Sequence, residues 1–250
     1  KILIFDSNII LGKVNEFFAK KAKFLCVQFE RKNKLKNEIL VKPLPWIETY
    51  QIKSDFFKNI SFKKQNFTIL IFGGSQGAEI INRHFKMTIE DLFKKEKNFQ
   101  IIHILGKDQN KKIFKKFYDK LNITSYVSNF ERDFLKFYKI SDLVISRSGA
   151  ASISELIYFE KPSILVPFKR AKDNHQLKNA IFMKNTVKSS SVIEEDNLSK
   201  TTLLNQILSY LKNDKKKLCL FKKNIQKFKA IQSLKNIKDL KDIVIDVSKS

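Results

Sequence analysis

Three segments hold the residues whose types and spacing suit chemistry. Gly73-Gly74-Ser75-Gln76-Gly77 stands between an apolar run and a helical pattern. Glycines in such a turn present backbone N–H groups with no Cβ in the way. The helix start that follows adds partial positive charge, which favours an anion. The string is neither a Walker loop, since no Lys-Ser/Thr pair follows Gly77, nor a GxGxxG fingerprint. Alone it serves equally as an ordinary strand-to-helix turn. Ser146-Arg147-Ser148-Gly149-Ala150-Ala151-Ser152-Ile153-Ser154-Glu155 again ends an apolar run and opens a helix. The N–H groups of Ala150, Ala151 and Ser152, with the Ser152 hydroxyl, suit a diphosphate. Glu155, about one helical turn further on, suits both hydroxyls of a ribose. Ser152-x-x-Glu155 also fits a capping box, and spacing does not decide between the two. The third segment, Pro167-Phe168-Lys169-Arg170-Ala171-Lys172-Asp173-Asn174-His175-Gln176, offers Asp173 as a helix cap. It sends His175 and Gln176 toward the same edge, although His175 alone reads equally as a surface or cap histidine.

These loops need a scaffold that brings them to one edge. Phe67–Phe72 is a continuous apolar run, as a strand buried on both faces requires. Ala78 to Phe93 has helical spacing, with Ile81, Phe85, Ile89 and Phe93 four apart. Strand patterns recur at Gln100 to Leu105, Ser125 to Val127, Asp142 to Ser146 and Ser163 to Val166, with helical patterns at Lys111 to Tyr118, Arg132 to Ile140 and Ser152 to Phe159. This alternation predicts an α/β fold, a Rossmann-like parallel sheet with its ligand crevice outside the strand C-termini. A helix follows near His175 to Lys184, then a weak strand at Val192 and Ile193. Asn197 to Leu211 and Asp214 to Lys229 read as two further helices. In the tail, Ile243, Ile245 and Val247 alternate like a strand, whereas Leu234, Ile237 and Leu240 fit a helix. Earlier, Lys1 to Phe5 and Phe24 to Phe29 read as strands around a helix at Leu11 to Lys20. Pro43 and Pro45 stiffen a linker.

The chain of 250 residues carries 49 Lys and Arg against 25 Asp and Glu, a net charge of +24. Such an excess suits nucleic acid, an anionic membrane surface or phosphorylated substrates. An AT-rich coding sequence accounts for the same Lys, Asn, Ile and Phe bias, and the lysines are dispersed instead of forming a basic arm. Cys26 and Cys219 have no metal-site spacing, which points to a reducing compartment. No Asp-x-Asp is present to hold a diphosphate-bound cation, and no cofactor is implied. No apolar run is long enough to span a bilayer. The start lacks both a Met and a signal-peptide pattern, so the chain is expected to begin inside a longer protein.

The strings FGGSQGAEIIN, SDLVISRSGAASISEL and PSILVPFKRAKDNHQLKNA closely resemble the MurG family of glycosyltransferases, in the same order and with similar separation. The resemblance runs from Asp6 to about Phe228. It implies a GT-B fold, two Rossmann-like domains facing a cleft. Residues 1–50 would be the end of the acceptor domain and linker, 51–229 the donor domain, and 230–250 a tail returning to the first domain. The implied reaction moves N-acetylglucosamine from UDP-GlcNAc to a lipid-linked muramyl-pentapeptide, with inversion and without a metal. The implied place is the cytoplasmic face of the bacterial inner membrane, bound peripherally to its anionic surface, with no specific nucleic acid as partner.

By matching position, the resemblance puts Glu155 on the ribose and Ala150, Ala151 and Ser152 on the diphosphate. Ser75 and Gln76 would border the donor, and His175 and Gln176 would meet the sugar. The segment Phe130 to Phe134, including Glu131 and Phe134, would line the uracil. Asn8 matches a cleft asparagine. The catalytic base would lie in the upstream part, leaving Asn8 as this chain's cleft residue. Two departures stand out. A family histidine is replaced by Phe5, and an arginine near the diphosphate by Pro45, with Lys42 or Arg147 as candidate substitutes. They keep open a catalytically impaired UDP-sugar-binding protein, beside another GT-B enzyme acting on a UDP-sugar.

Overall fold

Two parallel sheets make up this computed structural model, which describes residues 1–31, 33–42, 61–74, 77–107, 109–233, 235 and 237–249. The first sheet is small. Strands β1 (Leu3–Asp6), β2 (Phe24–Val27) and β3 (Glu38–Leu40) lie in that order, all parallel. Helix α1 (Lys13–Ala19) crosses between the first two. The three-residue β3, half-buried throughout, has no apolar run to announce it. The linker prolines Pro43 and Pro45 lie outside the described residues.

The second sheet is built from β4 (Phe67–Phe72), α2 (Glu79–Lys95), β5 (Phe99–Ile104), α3 (Lys111–Lys120), β6 (Ser125–Ser128), α4 (Leu135–Ile140), β7 (Leu143–Ser146), α5 (Ala150–Tyr158), β8 (Ser163–Leu165), α6 (His175–Asn185) and β9 (Ser190–Val192). Its six strands run parallel in the order β6-β5-β4-β7-β8-β9. All six residues of β4 are buried. Because strand side chains alternate between faces, Ile69 and Ile71 pack with α2, while Leu70 and Phe72 pack with α4, α5 and α6.

Helix α7 (Lys200–Ser233) is hydrogen-bonded as one 34-residue segment but turns at Asp214 and Lys215, whose φ values are 51° and 61°. Left-handed backbone costs a non-glycine residue about 1–2 kcal/mol. Here it redirects the chain. Leu203, Ile207 and Tyr210 belong to the core on the α2 face, whereas Ile225 belongs to that on the α5 face. The two helical patterns in the sequence are the two arms of this bend. The tail is helix α8 (Leu240–Lys249), not a strand. Leu240, Ile243 and Val247, spaced three and four apart, meet the first sheet, while Ile245 faces outward. Residues on both sides of the strand-like alternation thus resolve into one helical face.

A buried polar cluster fixes α2 to β5. Asn82 Nδ2 donates to the Leu105 carbonyl (2.9 Å), which leaves its Oδ1 facing His103 Nε2 at 3.0 Å. His103 therefore holds its proton on Nε2, and Nδ1 accepts from the Tyr118 hydroxyl at 2.8 Å. Burial pushes the His103 pKa from 6.5 down to about 3. The unfolded chain binds this proton and the folded chain does not. The stabilisation is therefore complete above pH 6.5 and is lost progressively as pH falls toward 3. A His103→Phe variant should be less stable at pH 7.5 by roughly 1–3 kcal/mol, since Asn82 and Tyr118 lose a partner. Its thermal midpoint should also fall less steeply than the wild type's between about pH 6.5 and 5, as read by thermal unfolding at stepped pH. Parallel slopes would contradict the neutral, inward histidine.

Candidate functional site

The loops leaving β4, β5, β6 and β7 meet at the C-terminal edge of the large sheet. After β4, Gly77 has φ 81°, and a Cβ there would lie 2.5 Å from the Leu105 carbonyl oxygen. No side chain fits that approach, so the turn must carry glycine. Ser75 and Gln76, the polar residues of the turn, lie outside the described residues.

After β7, Gly149 is the N-cap of α5, with extended backbone and no side-chain cap. Ile153 N–H makes the first helical bond, to Gly149 O at 3.0 Å. The N–H groups of Ala150, Ala151 and Ser152 have no acceptor among the described residues. Nothing lies within 4 Å of where a Gly149 Cβ would stand, so the space beside the helix start is open. The capping-box reading is overturned. Ser152 sits three residues inside the helix, and the Glu155 carboxylate accepts from the Tyr138 hydroxyl at 2.8 Å.

Beside this helix start is a cavity of about 220 Å³, lined by Phe72, Gly74, Ile104, Asn129, Phe130, Glu131, Phe134, Ser152 and Glu155. Phe134 packs edge-on to Phe72 (centroids 4.8 Å) and to Tyr138 (5.5 Å), which makes one wall flat and apolar. Burial raises the Glu155 pKa, and the Tyr138 hydrogen bond opposes that rise. Burial, and then the Glu155 charge, hold the Tyr138 hydroxyl well above its ordinary range, so it remains a donor. Glu131 is a rim residue already satisfied within the chain, by the Tyr126 hydroxyl and by Lys136 at 3.4 Å.

His175 and Asn8 line a neighbouring cavity of about 210 Å³ with Gly12, Lys13 and Asp173. His175 Nδ1 lies 2.7 Å from the Lys172 carbonyl. Gln176 Oε1 accepts from Phe168 N–H at 3.0 Å, and its Nε2 has no acceptor among the described residues. Asp173 does not cap α6. The N-cap is Asn174, both residues have left-handed φ (55° and 53°), and the Asp173 carboxylate faces Lys13 at 3.4 Å. Asn8 is held at both ends of its amide, by Asp6 and by Asn179. Asp6, 4% exposed, accepts from the backbone and side chain of Asn8, from Gly12 N–H and from Asn15 Nδ2.

The candidate substitutes for the lost arginine are both engaged elsewhere. Arg147 is buried, paired with Glu195, and donates to the Val166 carbonyl at 3.1 Å. Lys42 pairs with Asp239 at 3.0 Å. Phe5 packs into the core beneath α8. A larger open depression of about 950 Å³ runs along α3 and the edge strand β6, lined by Lys111, Lys112, Lys115, Lys116 and Lys136. It collects lysine charge around an open floor that includes Ile123, Tyr126 and Val127. Sequence reading missed Tyr138, Asp6 and Asn179. The signal available for Asn179 was a polar residue on the helix face shared with Ala180 and Met183, both buried.

A large Rossmann-like sheet with its cavity at the β4–β7 edge, facing a smaller parallel sheet, defines a GT-B-type fold. The family model for the glycosyltransferase family 28 C-terminal domain matches residues 68–240. The chain therefore belongs to glycosyltransferase family 28 and carries its C-terminal domain. Among curated relatives, a Pelagibacter ubique protein named UDP-N-acetylglucosamine--N-acetylmuramyl-(pentapeptide) pyrophosphoryl-undecaprenol N-acetylglucosamine transferase is 33% identical over 242 residues, covering 95% of this chain and 65% of the relative. A Rickettsia felis protein of the same name is 34% identical over 227 residues, covering 86% and 62%. The chain thus spans just under two thirds of the length of these relatives. Among solved structures, Acinetobacter baumannii MurG superposes with a TM-score of 0.71 at 22% identity, covering 99% of this chain and 67% of that one. A UDP-glucose:anthocyanidin 3-O-glucosyltransferase in complex with UDP gives 0.62 at 16% identity, covering 84% and 49%.

Removing the Tyr138 hydroxyl tests the electrostatics of this site. In Tyr138→Phe, Glu155 should titrate at a higher pH than in the wild type, because burial then acts unopposed. NMR titration of the Glu155 side-chain carboxyl reads the change, and an unaltered midpoint would show that Tyr138 does not stabilise the charge.

Proposed function

We propose that this chain is the UDP-sugar-binding half of an inverting N-acetylglucosaminyltransferase. The full enzyme would move GlcNAc from UDP-GlcNAc to a lipid-linked muramyl-pentapeptide in peptidoglycan synthesis. The observation that carries the reading is one cavity that joins a flat aromatic wall at Phe134 to the Glu155 carboxylate, beside N–H groups at the start of α5 that have no acceptor among the described residues. Those three features suit a base, a ribose and a diphosphate in their covalent order.

In this reading Phe134 and the Asn129 to Glu131 backbone take the uracil, and Glu155 accepts the ribose hydroxyls. The N–H groups of Ala150, Ala151 and Ser152 bear the diphosphate. As the glycosidic bond breaks they stabilise the charge that develops on the leaving UDP, aided by the helix dipole. Ser75 and Gln76 border the donor, His175 and Gln176 meet the sugar, and Asn8 faces them across the cleft. Residues 1–50 with the tail 230–250 form the acceptor-side half, and 51–229 the donor-side half. The base that deprotonates the acceptor hydroxyl comes from the part of the enzyme outside this chain.

Among the described residues, no helix is long and apolar enough to cross a membrane. Peripheral contact with the anionic cytoplasmic face of the inner membrane belongs to this proposal. Phe5 half-buried under α8, where the family resemblance expects a histidine, favours a second reading: a protein that binds the donor but does not transfer it.

Calorimetric titration separates these readings from none. UDP-GlcNAc should bind in preference to UDP-glucose, and Glu155→Ala should weaken it by roughly 10- to 100-fold, the cost of losing hydrogen bonds to a charged group. Binding should also weaken as pH falls through the Glu155 titration. A folded wild-type chain that binds no UDP-sugar would overturn both readings. Supplying the missing half in trans then distinguishes transfer from binding alone.

A further inference from the structure

Asn179 is 1% exposed, and its amide is spent on three partners from two different loops. Nδ2 donates to the Ser148 carbonyl at 3.0 Å and to Asn8 Oδ1 at 3.3 Å, while Oδ1 accepts from Ile9 N–H at 3.2 Å. Ile9 N–H can only donate and the Ser148 carbonyl can only accept, so the amide orientation is fixed. One partner loop follows β1 in the small sheet. The other is the turn between β7 and α5, whose next residue is Gly149. The same turn is tied to α6 a second time, by Ser148 Oγ donating to the Gln176 carbonyl at 2.8 Å.

We propose that Asn179 is a positioning residue for diphosphate binding: it holds the Ser148–Gly149 turn, and so the N–H groups of Ala150 to Ser152, at a height set by the β1–α1 loop of the other sheet. The inference rests on the UDP-sugar reading above. Asn179 itself touches no ligand. Its effect passes through the Ser148 carbonyl to the backbone that follows. The nucleoside end of the site hangs on different contacts, Phe134 on Phe72 and Glu155 on Tyr138, so it does not depend on this amide. A second link between the sheets, Ser154 Oγ to Gln28 Oε1 at 2.6 Å, lies one turn into α5 and bypasses the Ser148–Gly149 turn. It provides the control.

The test compares UDP with uridine on the 250-residue chain, by ligand-observed NMR and calorimetry. Asn179→Asp keeps the acceptor for Ile9 but cannot donate to Ser148. It should weaken UDP about tenfold and leave uridine unchanged. Gln28→Ala should alter neither. If Asn179→Asp does not fold, Ser148→Ala, which removes the second tie on the same turn, should give a smaller loss, also confined to UDP. Equal loss of UDP and uridine, no loss of UDP, or a matching loss in Gln28→Ala would each overturn the positioning role. A wild-type chain that binds neither ligand would instead overturn the UDP-sugar reading, and the inference with it.

Discussion

Strand β4 has β5 on one side and β7 on the other, and the connections leave in opposite directions from that pair. Helices α2 and α3 cover one face of the sheet, while α4, α5 and α6 cover the other. The loops after β4 and β7 must therefore part, and the gap between them cannot be filled by either crossover. That reversal creates the crevice. It also aims the start of α5 into the crevice, because β7 ends there and the helix begins four residues later, with Gly149 leaving the space beside its first turn open. Everything proposed for the site depends on this placement, at an open edge, of three N–H groups that have no acceptor among the described residues.

The electrostatics follow from the same geometry. Glu155 is carried into a half-buried position one turn behind the first N–H groups of α5, and burial alone would favour its neutral form. Tyr138 opposes that, and the high pKa of its own hydroxyl keeps it donating. Arg147, although it sits in the same loop, contributes its charge to Glu195 and its donors to the Val166 carbonyl. It braces the turn instead of facing the crevice. The small sheet is joined to the large one by Gln28, which accepts from Ser154, by Asn179, which meets Asn8 and Ile9, and by Phe29, which enters the large sheet's second core. The Asn179 link holds the β1–α1 loop against α6.

The central strands of the large sheet were legible because they are apolar runs closed by a glycine, a proline or a polar turn, whereas the edge strands β6 and β9 are short and serine-rich. Phe67–Phe72 coincides with β4, and the helical spacing of Ile81, Phe85 and Ile89 marks the buried face of α2. The chemistry of the β7–α5 loop was legible too, but with two meanings. Only the position of the N-cap, Gly149 and not Ser152, separates a ligand-facing helix start from a capping box. Strand β3 and helix α8 were not legible in the same way. One is three residues long, and the other mixes an outward Ile245 into its inward face. The partners of Glu155 and of Asn8 were hidden for a different reason. Tyr138 and Asn179 lie 17 and 171 residues away, and no local pattern encodes a contact over that distance.

The most direct test of the account is backbone-amide NMR of the isotopically labelled chain titrated with UDP. The account predicts the largest shifts at Ala150, Ala151 and Ser152, downfield as the N–H groups gain an anionic acceptor, with a second set at Asn129 to Phe134. Shifts confined to the lysines of α3, or an α5 start that does not respond to saturating UDP, would contradict it.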